Sequence, residues 1–187
     1  MPRLFVALPL PAEVRLRLSL LAGGVPGARW TPPENMHLSL RFLGEVDEAR
    51  FIDVAEGLET IESEAFEIEL ADVGQFGDRR RARVLWAGVR ASPELMALRA
   101  SIESLLARLG HRPEGRRYHP HVTLARMKGV APARLAPFME AHGGLCLPPF
   151  RADRFALISS HRGRERAHYR IEADYPLARP EPAPPGV

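Results

Sequence analysis

Apolar and polar positions divide the chain into alternating strand-like and helix-like stretches. Arg3 to Leu8 is a largely apolar run cut off by Pro9 and predicts a strand. From Pro11 to about Ala22, Val14, Leu16, Leu18 and Leu21 recur as in a helix, behind a proline suited to a helix start, and Gly23-Gly24 ends it. About Met36 to Leu43 alternates as a strand that Gly44 should stop. Asp47 can cap a helix running to about Glu62, with Phe51, Val54, Ala55, Leu58 and Ile61 on one stripe. Phe66 to Phe76 alternates with period two, Gly77 to Arg80 turns, and Ala82 to Val89 returns, which predicts a hairpin. Ser92-Pro93-Glu94 opens a helix that runs to Leu109 with Leu95, Leu98, Ile102, Leu105, Leu106 and Leu109 facing inward. The polar segment His111 to Tyr118 leads into another strand from His121. Pro132 to Ala141 is a short helix, and Phe150 to Ser159 and Ala167 to Tyr175 are strands joined by a turn at His161 to Glu165. Pro180 to Val187 is proline-rich and expected to be a disordered tail.

The predicted order is β-α-β-α-β-β-α-β-α-β-β. The strands at Met36 and His121 are each followed by a helix and two further strands. This coarse repeat argues for an α+β fold built of two similar lobes, within one domain over residues 1–179.

The two repeated strands also share a motif. His37-Leu38-Ser39-Leu40 and His121-Val122-Thr123-Leu124 both read His, apolar, hydroxyl, apolar. On a strand the histidine and the hydroxyl point to one face and the apolar residues to the other, toward a core. With 7 histidines in 187 residues, chance gives roughly 0.4 occurrences of His-x-Ser/Thr, and about 0.1 once both apolar positions are required. A single tetrad is a weak signal, since a lone strand histidine is more often a satisfied, half-buried polar group than a catalyst. The pair is a strong signal. Two imidazoles on opposite sides of a cleft can act as base and acid in line with an attacking and a leaving oxygen. The Ser39 and Thr123 hydroxyls could then hydrogen-bond the non-bridging oxygens of a phosphoryl group. No carboxylate-rich ligand set and no cysteine-histidine spacing suggests a metal, so the expectation is no metal and no cofactor.

Composition changes this picture little. The net charge is +3 and the pI about 9.6, compatible with a phosphate-bearing partner but not diagnostic. Lys128 is the only lysine, leaving 25 arginines, a bias that a GC-rich genome explains and that also suits bidentate phosphate binding. The single cysteine, Cys146, excludes an internal disulfide and agrees with a cytoplasmic location. No run of 18 apolar residues is present, so no membrane span is expected. The arginine-rich stretches 79–83, 112–117 and 162–166 read as solvated turns that can also steer an anionic chain. Phe5 and Phe42 are candidates for stacking on a base. Phe42 shares parity with Leu38 and Leu40, which predicts a core position; Phe5 is undecided between core and base stacking. His119 reads as a rim residue.

The tetrads resemble the paired motifs of the two-histidine (2H) phosphoesterase superfamily. Residues 3–11, Asn35 to Val46 and His119 to Arg126 are similar to the bacterial and archaeal RNA 2′,3′-cyclic phosphodiesterases, first known as 2′-5′ RNA ligases. The resemblance spans about Arg3 to Leu177. Ser39 departs from it where that family more often has Thr, with the hydroxyl kept. The resemblance implies two pseudo-symmetric lobes with the motif strands lining the cleft between them. It implies opening of a 2′,3′-cyclic phosphate, on RNA 3′ ends or nucleotides, to a 2′-phosphate, with reverse 2′-5′ joining, in a monomer. It also implies His121 as base, His37 as acid and Arg126 as a phosphate contact. Strict alternation sets Arg126 on the face opposite His121 and Thr123, so that role requires the strand to bulge or end near Ala125. Two other readings stay open: a binding module for nucleotides or RNA ends without catalysis, and a phosphodiesterase for another small cyclic phosphate or a 2′-5′ oligonucleotide.

Overall fold

The computed structural model describes residues 3–78, 80–162 and 167–178. The proline-rich stretch 180–187, Arg79 and the turn residues 163–166 lie outside the described residues. The elements in order are β1 (Arg3–Pro9), α1 (Ala12–Ser19), β2 (Arg29–Trp30), β3 (His37–Glu45), α2 (Glu48–Glu59), β4 (Phe66–Ile68), β5 (Leu70–Gly77) and β6 (Ala82–Val89). They continue with α3 (Pro93–Arg108), β7 (His121–Val130), α4 (Ala136–His142), β8 (Phe150–Ala152), β9 (Arg154–Arg162) and β10 (Ala167–Pro176). Short 3₁₀ turns at Pro33–Asn35 and Pro132–Arg134 precede β3 and α4.

Two predicted strands prove to be two strands each. Phe66 to Phe76 divides at Glu69: β4 pairs with β8, while β5 pairs with β6. Asp72, at φ 64°, sits in a register shift of β5, where a short polar side chain tolerates the left-handed conformation. Phe150 to Ser159 divides at Asp153 in the same way, β8 joining the small ribbon and β9 the main sheet. Local alternation is blind to these changes of partner. Gly44 lies inside β3 rather than ending it, at φ 81°, a value that glycine adopts without a Cβ penalty.

The main sheet runs β10-β9-β1-β3-β7-β6-β5, with β2 added against β7. All its pairings are antiparallel. Two halves meet at its centre, where β3 and β7 share one registered pair, Leu38 with Val122. Each half is a hydrogen-bonded group of strands, and β3 and β7 are the innermost strand of each. Beyond this pair β3 and β7 have no further registered partners.

The helices form where the pattern predicts. Asp47 accepts from the Arg50 backbone N–H at 2.9 Å to cap α2, and Ser92 accepts from that of Leu95 at 3.2 Å to cap α3. Val14 and Leu18 of α1, Val54 and Leu58 of α2, and Leu95, Leu98, Ile102, Leu105 and Leu106 of α3 are buried in one core with Leu38, Leu40, Val122 and Leu124. Leu16 falls on the far side of α1 from Leu18 and is 60% exposed. The apolar members of both tetrads thus bind the helical layer to the sheet. Their polar members are left on the other face.

Candidate active site

The burial sequence of His37 to Phe42 is half-buried, buried, half-buried, buried, buried, exposed. That of His121 to Arg126 is the same. The alternation slips by one residue at an equivalent place in each strand. In β3, Ser39 pairs with Ala7 and Arg41 with Val6, so Leu40 is a bulge relative to β1. In β7, Thr123 pairs with Trp86 and Ala125 with Leu85, so Leu124 is a bulge relative to β6. The extra residue turns the next side chains over. Arg126 therefore faces the groove with His121 and Thr123, as it could do only with a bulge.

The same slip overturns the expectation for Phe42. It is 50% exposed, and Arg41 goes inside in its place at 7%. Parity was counted through a bulge that no residue of the tetrad signals. The buried Arg41 guanidinium is held by Glu103 at 2.9 Å and by the carbonyls of Phe42 and Arg112. Phe5 is 3% exposed and lies beneath His37, ring centroids 4.7 Å apart, which settles it as packing.

The register at Leu38 and Val122 puts His37 across from Thr123 and Ser39 across from His121. The two histidines are diagonal neighbours, roughly 7–8 Å apart at the backbone by ordinary antiparallel geometry. Both rings line the same groove. His37 Nδ1 donates to the Asn35 carbonyl at 2.9 Å, and His121 Nδ1 donates to the His119 carbonyl at 2.8 Å. Since a carbonyl only accepts, both neutral rings hold their proton on Nδ1 and keep the Nε2 lone pair for chemistry. Each ring is also braced by aromatic residues. Tyr169 stands edge-on to His37 at 5.3 Å, and Phe76 edge-on to His121 at 4.8 Å.

Burial lowers the pKa of both imidazoles. His37 falls to about 4, mainly by desolvation, opposed by its bond to Asn35 and assisted by Arg126 and His121. His121 is lowered as well, chiefly by desolvation, with His119 and Arg126 adding positive charge nearby. Arg126 thus acts electrostatically on both rings. An anion between them relieves all of these effects at once.

A groove of about 870 Å³ contains the histidines, Ser39, Thr123 and Arg126. Arg83, Arg116 and Arg117 border it, as do the acidic Asp78 and Glu114. His119 is exposed on this border, its ring tilted against Trp86 with centroids 4.8 Å apart. Tyr118 donates its hydroxyl to the Ser39 carbonyl at 2.9 Å and lies under the Arg99 guanidinium at 4.4 Å. Burial raises its pKa, so it remains a neutral donor. This bond fixes the backbone of the first tetrad from the segment preceding the second. Tyr118, Tyr169, Phe76 and Trp86 are absent from the sequence-derived site, because they come from β5, β6, β10 and a loop whose placement local pattern does not reveal. Among the described residues, no group of three or more His, Cys, Asp or Glu side chains could hold a metal ion. None of the described helices is long and apolar enough to cross a membrane.

Known proteins share the sequence pattern and the fold. The LigT like Phosphoesterase family matches twice in succession, over residues 8–86 and 89–169, one match containing each tetrad. A curated RNA 2′,3′-cyclic phosphodiesterase of Aeropyrum pernix is 44% identical over 117 residues, 62% of this chain and 66% of the relative. Those of Bacillus subtilis and Escherichia coli are 31% and 32% identical over 86% and 89% of this chain, spanning 88% and 92% of their own lengths. The crystal structure of E. coli LigT complexed with 3′-AMP superposes with a TM-score of 0.75 at 30% identity, over 95% of this chain and 99% of that one. The chain belongs to the LigT-like phosphoesterase family.

Proposed function

We propose that this protein opens 2′,3′-cyclic phosphates on RNA 3′ ends or nucleotides to 2′-phosphates, without a metal, by acid-base catalysis between His37 and His121. The observation that carries the reading is the pair of Nε2 lone pairs, each left free by an Nδ1–H bond to the backbone, in one groove with Ser39, Thr123 and Arg126. Family membership makes the chemistry phosphoester chemistry; the names of its relatives supply the substrate class.

The cyclic phosphodiester monoanion enters between two neutral rings beside Arg126. Its charge lifts the histidine pKa values and allows one ring to hold a proton. His121 Nε2 takes the proton of the attacking water as the new P–O bond forms. The P–O3′ bond breaks in line, and protonated His37 gives its proton to the departing 3′ oxygen. Ser39, Thr123 and Arg126 hydrogen-bond the non-bridging oxygens, where negative charge accumulates. With a 5′ hydroxyl as nucleophile in place of water, the same residues would join two ends without ATP: His121 takes the hydroxyl proton as the 5′ oxygen bonds to phosphorus, the P–O3′ bond breaks, His37 protonates the 3′ oxygen, and a 2′-5′ phosphodiester results.

The test is product analysis on a cyclic-phosphate-ended oligonucleotide and on a cyclic mononucleotide, both in excess EDTA. A 2′-phosphate from either substrate, unchanged by chelation, is the expected result. Tight binding of the substrate with no turnover at any pH would instead leave a nucleotide- or RNA-end-binding module.

A further inference from the structure

We infer that Tyr118 is a positioning residue for the first tetrad: its hydroxyl holds the Ser39 carbonyl and so aims the Ser39 hydroxyl at the phosphoryl group, a task the second tetrad performs without such a residue. This rests on the phosphodiesterase reading of the groove, in which Ser39 donates to a non-bridging oxygen.

The two tetrads are held unequally. Past its histidine, β7 has strands on both edges. β6 pairs with it at Thr123 and Ala125, and β2 pairs with it at Ala125 and Arg126. The Thr31 backbone N–H also donates to the Leu124 carbonyl at 2.8 Å. β3 has β1 on one edge and, on the other, a single registered pair of Leu38 with Val122. Ser39 is the next residue, where that pairing ends and just before the bulge at Leu40. Tyr118 supplies what the missing strand does not, donating its hydroxyl to the Ser39 carbonyl at 2.9 Å. Tyr118 stands three residues before His121. Three residues before His37 stands Glu34, whose carboxylate has no proton to donate.

The side chains differ in the same sense. Thr123 is β-branched, and its methyl group restricts χ1. Ser39 lacks that methyl and has three staggered wells open to it. A hydroxyl that must meet a phosphoryl oxygen is less effective for every well that points elsewhere. Fixing the backbone under the hydroxyl therefore matters more in β3 than in β7.

Tyr118 is itself held. The Arg99 guanidinium lies over its ring at 4.4 Å, and Arg99 bonds Glu103 at 3.1 Å. Glu103 also pairs at 2.9 Å with buried Arg41, one residue past the bulge. Arg41 in turn holds the Arg112 carbonyl and lies 3.8 Å from Glu114, both on the segment that leads to Tyr118. The contacts run from β3 through α3 and back to Ser39, which gives a ring on an irregular segment a fixed place.

Tyr118→Phe removes the hydroxyl and leaves the ring under Arg99. It is measured on adenosine 2′,3′-cyclic phosphate in wild type, Ser39→Ala and Ser39→Thr backgrounds, with melting temperatures alongside. In wild type it should lower kcat about 3- to 10-fold, the worth of one neutral hydrogen bond, with KM little changed. In Ser39→Ala it should cost nothing further, since no hydroxyl remains to aim. In Ser39→Thr the loss should shrink to under about 2-fold, because the added methyl restricts χ1. The rate ratio of the two phosphorothioate diastereomers of the substrate should move in the same direction for Tyr118→Phe as for Ser39→Ala. A wild-type rate in Tyr118→Phe, or an equal loss in all three backgrounds, overturns the inference; the equal loss would mark a residue of the fold only. If wild type turns over no cyclic phosphate, calorimetric binding of adenosine 2′-phosphate decides. A loss of affinity on Tyr118→Phe that disappears in Ser39→Thr keeps the positioning role and fells the hydrolase reading. Unchanged affinity, or no binding by wild type, overturns the positioning role as well.

Discussion

The half built around β3 and the half built around β7 use the same backbone device for different purposes. Each begins with a histidine whose Nδ1 donates to a carbonyl two residues earlier. Each continues with a hydroxyl facing the groove, bulges at the following leucine and ends with an exposed side chain. In β3 that side chain is Phe42; in β7 it is Arg126. Both histidines have aromatic neighbours, Phe5 and Tyr169 at His37 and Phe76 and Trp86 at His121, and the groove around them also carries Arg83 and Arg126. A repeated strand supplies a symmetric pair of histidines and hydroxyls, and a different side chain at the end of each copy breaks that symmetry. The lesson is that symmetry in this molecule belongs to the motif backbone, and asymmetry to the residue just past each bulge.

The most severe way to break the comparison is to remove one proton carrier. His37→Ala and His121→Ala should each lower turnover on the order of 10²–10⁴-fold with circular dichroism unchanged. The double variant should be little worse than the weaker single one, because the two act as a unit. On a p-nitrophenyl phosphodiester, whose leaving group needs no proton, His37→Ala should be largely rescued and His121→Ala not. The opposite pattern would exchange the roles of the halves, and near-wild-type activity in either variant would falsify the two-histidine mechanism.

Smaller losses separate the hydroxyls from their strands. Ser39→Ala and Thr123→Ala should each reduce kcat about 10–10³-fold by weakening stabilisation of the phosphoryl oxygens. Thr123→Ser should be close to wild type, since Ser39 fills the equivalent position in the other half. A Thr123→Ala protein that lost melting temperature but kept its rate would show a strand residue only.

Acidity sharpens the electrostatic side of the comparison. Both imidazoles lie below their ordinary value of 6.5 in the empty groove, His37 at about 4. The kcat/KM profile, which reports the free enzyme, should therefore peak on the acid side of pH 6.5, between the two histidine pKa values. The kcat profile should be displaced upward, because the bound anion favours the protonated rings. Arg126→Met removes a positive charge felt by both histidines, so the kcat/KM limbs should move to higher pH while KM rises. Limbs that stay in place would show that Arg126 is screened from the rings.

The smallest effect is on stability. Unfolded His37 takes up a proton near pH 6.5 and folded His37 only near pH 4. Between these values the unfolded state binds more protons, so stability is retained above pH 6.5 and lost as the pH falls toward 4. His37→Gln should flatten this part of a denaturation-against-pH curve. His121→Gln should act in the same direction; equal curves for wild type and His37→Gln from pH 7 to pH 4.5 would show that burial does not set the His37 pKa.

The sequence by itself determined the elements and the candidate site: helices read from Val54, Leu58, Leu98 and Ile102, and two His-x-hydroxyl strands whose apolar residues had to face a core. These follow from local periodicity, which each residue carries with it. The tertiary structure decided which strands pair, so that Phe66 to Phe76 and Phe150 to Ser159 each serve two partners. It decided the bulges at Leu40 and Leu124, which depend on the register against β1 and β6. Through those bulges it exposed Phe42, buried Arg41 and brought Arg126 to the histidines. A bulge is a mismatch between two strands, and neither strand contains it alone.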